Sequence, residues 1–116
     1  MCVVAEQTYS HDMDGVYYAL EDLAHIGDGS VNAIARHLHA LGIRGERKSS
    51  YCCPIANWLR LNFGDDCDPE VDSGEIRVRK FKSPEGDWID PPDEISDFIT
   101  FFDRGSFSDL AAVPRG

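Results

Sequence analysis

The chain predicts an α+β fold: a single, mainly helical domain with element order α-α-α-β-β-α and one small antiparallel hairpin. Three observations carry this. Apolar residues recur at helical spacing in four segments, each bounded by cap and stop residues. Between the third and fourth, Ile76 and Val78 alternate with Arg77 and Arg79, and a turn signal leads on to Trp88 and Ile89. The length of 116 residues suits one domain and can bury a core without metal or disulfide staples.

The first helix begins near Ser10–Asp14, where Ser10 and Asp12 are both acceptable N-caps. Met13, Val16, Tyr17, Leu20, Leu23 and Ala24 follow helical spacing, and Gly27 suits the stop. Asp28 or Ser30 caps the second helix, whose stripe is Val31, Ile34, Ala35, Leu38 and Leu41 before Gly42. So short a connection makes the pair a helical hairpin. Residues 43–52 read as a polar, basic loop. Cys53-Pro54 then opens the third helix, because proline is favoured at the first helical position, where its missing N–H would be unpaired anyway. Its stripe is Ile55, Trp58, Leu59 and Phe63, closed by Gly64. Residues 65–74 read as a solvated acidic loop, then come the strand around Ile76 and Val78, a turn at Pro84-Glu-Gly86 and a second strand at Trp88 and Ile89. Asp90-Pro-Pro-Asp-Glu launches the last helix, with Ile95, Phe98, Ile99 and Phe102 at i, i+3, i+4 and i+7 and early acids that complement the helix dipole. Gly105 ends it, and Phe107 and Leu110 return to the same core. The predicted core is Leu20, Leu23, Ile34, Leu38, Ile55, Trp58, Leu59, Ile76, Val78, Ile95, Phe98, Ile99 and Phe102, with residues 1–9 and 111–116 as tails of the domain 1–116.

With 42% hydrophobic and 28% charged residues the composition is that of a globular protein. No apolar run approaches the roughly 20 residues needed to span a bilayer, so no membrane partner is expected. MCVVAEQTYSHD has neither the basic nor the apolar region of a signal peptide. Cys2, Cys52, Cys53 and Cys67 are therefore read as reduced thiols, and the expected location is cytoplasmic.

A net charge of −10 repels nucleic acid and anionic lipid at long range. The charge is segregated, however. Residues 43–64 hold one acid and four bases, 65–75 hold six acids, and 76–83 hold four bases. Two basic islands thus stand in an acidic chain, Arg44/Arg47/Lys48/Arg60 and Arg77/Arg79/Lys80/Lys82. Ordinary mixing of surface charge accounts for them; contacts to a partner or to nucleic acid are the sharper reading.

The metal readings fail on spacing. Adjacent Cys52 and Cys53 point apart, Cys67 stands alone, and His37 and His39 lie about 200° apart round a helix. Ser10-His-Asp12-Met-Asp14-Gly15 with Glu21 matches four positions of a calcium loop but lacks the first aspartate, and a helical stripe runs through it. No metal or cofactor is expected. A functional thiol at Cys53 has more behind it: a helix N-terminus stabilises thiolate, and Arg47 and Lys48 are near in sequence. Yet no partner base stands out among His11, His25, His37 and His39, and capping and packing explain the residue well.

Three helices followed by a hairpin is also the winged-helix order, and SVNAIARHLHALG reads like the first helix of a helix-turn-helix. DNA contacts would then come from segments 44–60 and 77–82. The connection from 43 to 53 is far longer than a helix-turn-helix turn, and the third helix spends its face on Ile55, Trp58 and Leu59.

LEDLAHIGDGSVNAIARHLHALGIRG, CPIANWLR and FITFFDRGSFSDL together resemble a group of small uncharacterised proteins from actinobacteria and their bacteriophages. Cys53, Pro54, Ala56, Trp58 and Leu59 fill its Cys-Pro-aliphatic-Ala-x-aromatic-Leu segment; Phe98, Phe102, Asp103 and Gly105 fill its terminal motif. Tyr51-Cys52 and the acidic 65–72 run depart from the pattern. The resemblance implies an actinobacterial or phage context, with the host cytoplasm as location if phage-encoded, and no mechanism. The function expected is a non-catalytic binding or regulatory module acting on a protein partner, ahead of a winged-helix DNA binder or a thiol-dependent activity at Cys53.

Overall fold

A computed structural model describes residues 9, 10, 12–64, 67–81 and 88–111. Four helices, α1 (Met13–Ala24), α2 (Val31–Ala40), α3 (Pro54–Phe63) and α4 (Asp93–Asp103), pack with a sheet of three strands, β1 (Pro69–Asp72), β2 (Glu75–Val78) and β3 (Trp88–Ile89). The α+β, mainly helical class expected from the sequence is the one observed. Among the described residues no helix is long and apolar enough to cross a membrane.

The helix starts follow from local chemistry. Asp12 Oδ1 accepts from the Gly15 N–H at 2.8 Å and so caps α1; Ser10 Oγ donates to the same oxygen at 2.9 Å. Asp12 is thus spent on the helix rather than on a calcium loop, and the turns from Met13 onwards are α-helical. Ser30 caps α2 through the Ala33 N–H, and Asp28 holds Ser30 by its amide and its hydroxyl. Gly42 and Gly64, at φ of 77° and 100°, follow α2 and α3 in a region that favours glycine.

The sheet corrects one expectation. Residues 69–72, taken for part of a solvated acidic loop, form β1, which pairs antiparallel with β2 in the register Val71↔Ile76 and Glu70↔Arg77. Pro69 and Val71 are buried while Glu70 and Asp72 point outward, so the acids that suggested solvent occupy only the outer face of a strand. The hairpin foreseen from Ile76 to Ile89 is present, with Ile76↔Ile89 and Arg77↔Trp88 as partners. Its turn residues, 84–86, lie outside the described residues. The sheet lies against the helices through β1 on α3 and β3 on α1, while α4 packs on α1 and α2.

Every residue of the predicted core is buried. Phe98 stacks on Phe102 at 6.2 Å and on Phe107 at 5.3 Å between ring centroids. The ends of the presumed tails are also tied in. Tyr9 packs on Phe63, and Ala111 makes a parallel bridge with Gly45.

Residues 43–52 are a tether rather than a free loop. Ile43 is buried, the Gly45 N–H donates to the Leu110 carbonyl at 2.8 Å, and the Glu46 N–H to the Cys52 carbonyl at 2.8 Å. Val71 N–H donates to the Ser50 carbonyl at 2.8 Å, while Ser50 Oγ donates to Asp72 Oδ1 at 2.8 Å. The segment therefore ties α3, β1 and the chain beyond α4 together. Gly45 is its tightest point: a Cβ there would meet Pro54 N at 2.4 Å and Cys53 C at 2.5 Å, both backbone atoms that cannot swing aside. Gly45→Ala should lower the unfolding free energy by roughly 2–3 kcal/mol, measured as the shift in the urea midpoint at constant m; an unchanged midpoint would mean the two chain segments are not in contact.

Candidate functional site

The residues that the sequence nominated are mostly absorbed by the fold. Cys53 is the N-cap of α3, its Sγ accepting from the Ala56 N–H at 3.4 Å, and it is only 3% exposed. Burial pushes its thiol up to about 11, against the pull of the Ala56 and Ile55 N–H groups, and the carboxylates of Asp103 and Asp72 raise it further. The helix N-terminus was expected to favour thiolate; desolvation outweighs it, so Cys53 is a protonated, packed thiol at neutral pH. Cys67 is buried as well, whereas Cys52 is exposed.

The first basic island is built into the chain. Arg47 Nε donates to the Phe102 carbonyl at 2.9 Å, and one of its terminal nitrogens reaches the carbonyls of Gly105 at 3.0 Å and Ser106 at 3.3 Å. Its guanidinium carbon lies 5.1 Å from the Phe102 ring centroid. The cation thus meets three carbonyls at and just beyond the end of α4, of which that of Phe102 also accepts the Gly105 N–H at 3.0 Å. Asp103 Oδ1 accepts from the backbone of Lys48 at 2.8 Å, Arg44 donates to the Asp109 carbonyl at 3.1 Å, and Arg60 donates to Asn57 at 2.8 Å.

The second island faces the acids of the neighbouring strand and its own. Arg77 pairs with Glu75 at 2.7 Å, and Arg79 with Glu70 at 2.6 Å. Lys82 lies outside the described residues. Five candidate arginines are therefore already hydrogen-bonded within the chain, and reading phosphate with them would require breaking those bonds. The connection between α2 and α3, residues 41–53, is also far from a helix-turn-helix turn. His37 and His39 face different concavities, described below.

What sequence reasoning missed is a groove of about 790 Å³ where the C-terminal ends of α1, α2 and α3 meet. Trp58, Leu23 and Ile26 line it together with Leu41 and Leu61, which are 45% and 62% exposed. On α3, Trp58, Leu61 and Asn62 fall at i, i+3 and i+4, a second face beside the buried Ile55–Leu59–Phe63 stripe. The signal available was the off-stripe Leu61.

The groove's fixed charges are Glu21 and Asp22, both negative. Asp22 accepts from the Tyr9 hydroxyl at 2.7 Å, and burial, then that bond and charge, push Tyr9 up to about 12. Partial burial holds His37 below the ordinary imidazole range, so it is neutral at pH 7. Next to the groove, Tyr17 and Tyr18 stand exposed on α1 in edge-to-face contact at 5.9 Å. The arrangement offers an apolar floor, an acidic rim and neighbouring aromatic rings.

Two measurements check this inventory. Brief iodoacetamide labelling of the native protein at pH 7.5, read by mass spectrometry, should modify Cys52 and spare Cys53 and Cys67 until urea is added; fast labelling of Cys53 would restore the reactive-thiol reading. Arg47→Ala should cost about 2–3 kcal/mol of stability, and Arg47→Lys should recover less than half of it, because a compact ammonium cannot span the same carbonyls. Comparison of the chain with protein-family models, curated proteins and solved structures found no match.

Proposed function

We propose that the protein is a non-catalytic binding module that docks a basic, amphipathic segment of a protein partner in the groove between α1, α2 and α3. The observation that carries this is that Leu41 and Leu61, both exposed, line one concavity whose fixed charges are carboxylates. A lone exposed leucine is ordinary, but two sharing a tryptophan-lined floor form a patch that association would cover. Covering them recovers about 1 kcal/mol each, and an amphipathic helix laid in a groove with its apolar face inward is a mode that covers such a patch. Glu21, Asp22 and the overall charge of −10 select a cationic segment over an anionic one and speed its encounter. A cytoplasmic setting, in an actinobacterium or a cell infected by its phage, belongs to the same reading.

The test uses a fluorescein-labelled Leu/Lys helical peptide of about four turns and its Leu/Glu counterpart, titrated with the full chain and read by anisotropy. The Leu/Lys peptide should bind, more weakly at high salt, and the Leu/Glu peptide should not. Leu41→Glu and Leu61→Glu should each weaken binding by about tenfold or more, whereas Phe101→Glu, on a helix that does not line the groove, should leave it unchanged. Equal binding of both peptides, or indifference to Leu41 and Leu61, would overturn the proposal.

A further inference from the structure

We propose that a second pocket, between α2 and the turn Phe107–Leu110, is a binding site for a small zwitterion of the amino-acid class with an apolar side chain. The pocket encloses about 420 Å³ and is lined by Asn32, Ala35, Arg36, His39, Phe107, Asp109 and Leu110. That volume suits a molecule the size of an amino acid or a short derivative.

The charges single it out. Arg44, Arg47, Arg60, Arg77 and Arg79 all donate hydrogen bonds within the chain. Neither Arg36 nor Arg104 donates a side-chain hydrogen bond or joins an ion pair among the described residues, and of the two it is Arg36 that lines this pocket, with an electrostatic pull on Asp28 besides. The Asp109 side chain is likewise unpaired among the described residues, although its backbone carbonyl is held by Arg44. Among the described residues, one pocket is therefore lined by an arginine and an aspartate whose side chains make no hydrogen bond or ion pair with each other or with a neighbour. The complement of such a pair is a ligand with a carboxylate and an ammonium a few bonds apart, each meeting a charge-assisted hydrogen bond.

The remaining lining agrees with that assignment. Asn32, Arg36 and His39 are spaced four and three residues apart, which puts them on one face of α2, so an amide and an imidazole flank the guanidinium. Ala35, Phe107 and Leu110 supply an apolar floor for the side chain. That floor is fixed before any ligand arrives. Phe107 stacks on Phe98, the Leu110 N–H donates to the Phe107 carbonyl at 2.9 Å, and the Leu110 carbonyl accepts from Gly45. Phe107 itself sits at φ 59°, a left-handed conformation that a non-glycine residue holds only when its surroundings enforce it.

The experiment is a ligand-observed NMR titration of the full chain with L-phenylalanine, N-acetyl-L-phenylalanine and L-phenylalaninamide. The free amino acid should bind, and blocking either end should weaken binding by about tenfold. Arg36→Gln should abolish the preference for a free carboxylate, and Asp109→Asn the preference for a free amine. Both side chains are exposed, and an unchanged urea midpoint confirms that each variant is folded. Absence of binding by the free amino acid at millimolar concentration would overturn the proposal. So would equal binding of all three probes, or wild-type selectivity in both variants.

Discussion

The guanidinium of Arg47 is the fixture from which the rest of the architecture hangs. A helix leaves its last carbonyls short of donors, and at the end of α4 the backbone N–H groups of Arg104, Gly105 and Ser106 meet only part of that need. Arg47 supplies further donors from a segment some fifty residues earlier in the chain, reaching the carbonyls of Phe102, Gly105 and Ser106 while its guanidinium carbon lies over the Phe102 ring. A lysine or a water could satisfy one carbonyl; a planar fork can satisfy several and hold the aromatic face as well. Because Arg47 belongs to the segment that also carries Gly45 and Ser50, one side chain sets the end of α4, the start of α3 and the edge of β1 in a common frame.

Helix positions were legible because capping chemistry and apolar spacing agreed at α1, α2 and α3, while α4, which has no capping side chain, was marked by its spacing and early acids. Asp12, Ser30 and Cys53 fall at caps, and every stripe residue proposed for the core is buried. Strand β1 was not legible, since it is four residues long, opens on proline and carries acids on its outer face, so composition masked the alternation of Pro69 and Val71. The meaning of residues 43–52 was hidden for a different reason. Their polar and basic side chains described a loop correctly, but the bonds that define the segment run to Val71 and Asp72 and to residues beyond 100. Periodicity reports nothing about pairings at that separation. The two concavities were equally out of reach, because one needs three helix ends to meet and the other needs α2 to meet a turn some seventy residues away. Only the off-stripe Leu61 hinted at one, and only the two-residue offset of His37 and His39 hinted that α2 has two working faces.

The charge pattern has a physical resolution. An acidic chain with two basic islands suggests a bipolar surface, yet most of the arginines are turned to internal use, on carbonyls, on an asparagine or on the acids of β1 and β2. Exposed pairs such as Arg77 with Glu75 add little to stability; their consequence is to set one positive and one negative charge against each other locally. The same accounting leaves Arg36 conspicuous beside a concavity.

The tether at residues 43–52 also constrains how the chain acquires its structure. Helices α1, α2 and α3 lie within the first 63 residues and can form from neighbours. The groups that lock the start of α3, from the Phe102 carbonyl to the Leu110 carbonyl, are made far later in synthesis. While the polypeptide is being elongated, the donors of Gly45 and Arg47 have no native acceptor, and the N-terminal half is a helical assembly with an open seam. Closure must wait until residues 102–110 have left the ribosome, so the domain is committed only at release of that stretch, and long-range loop closure sets its pace.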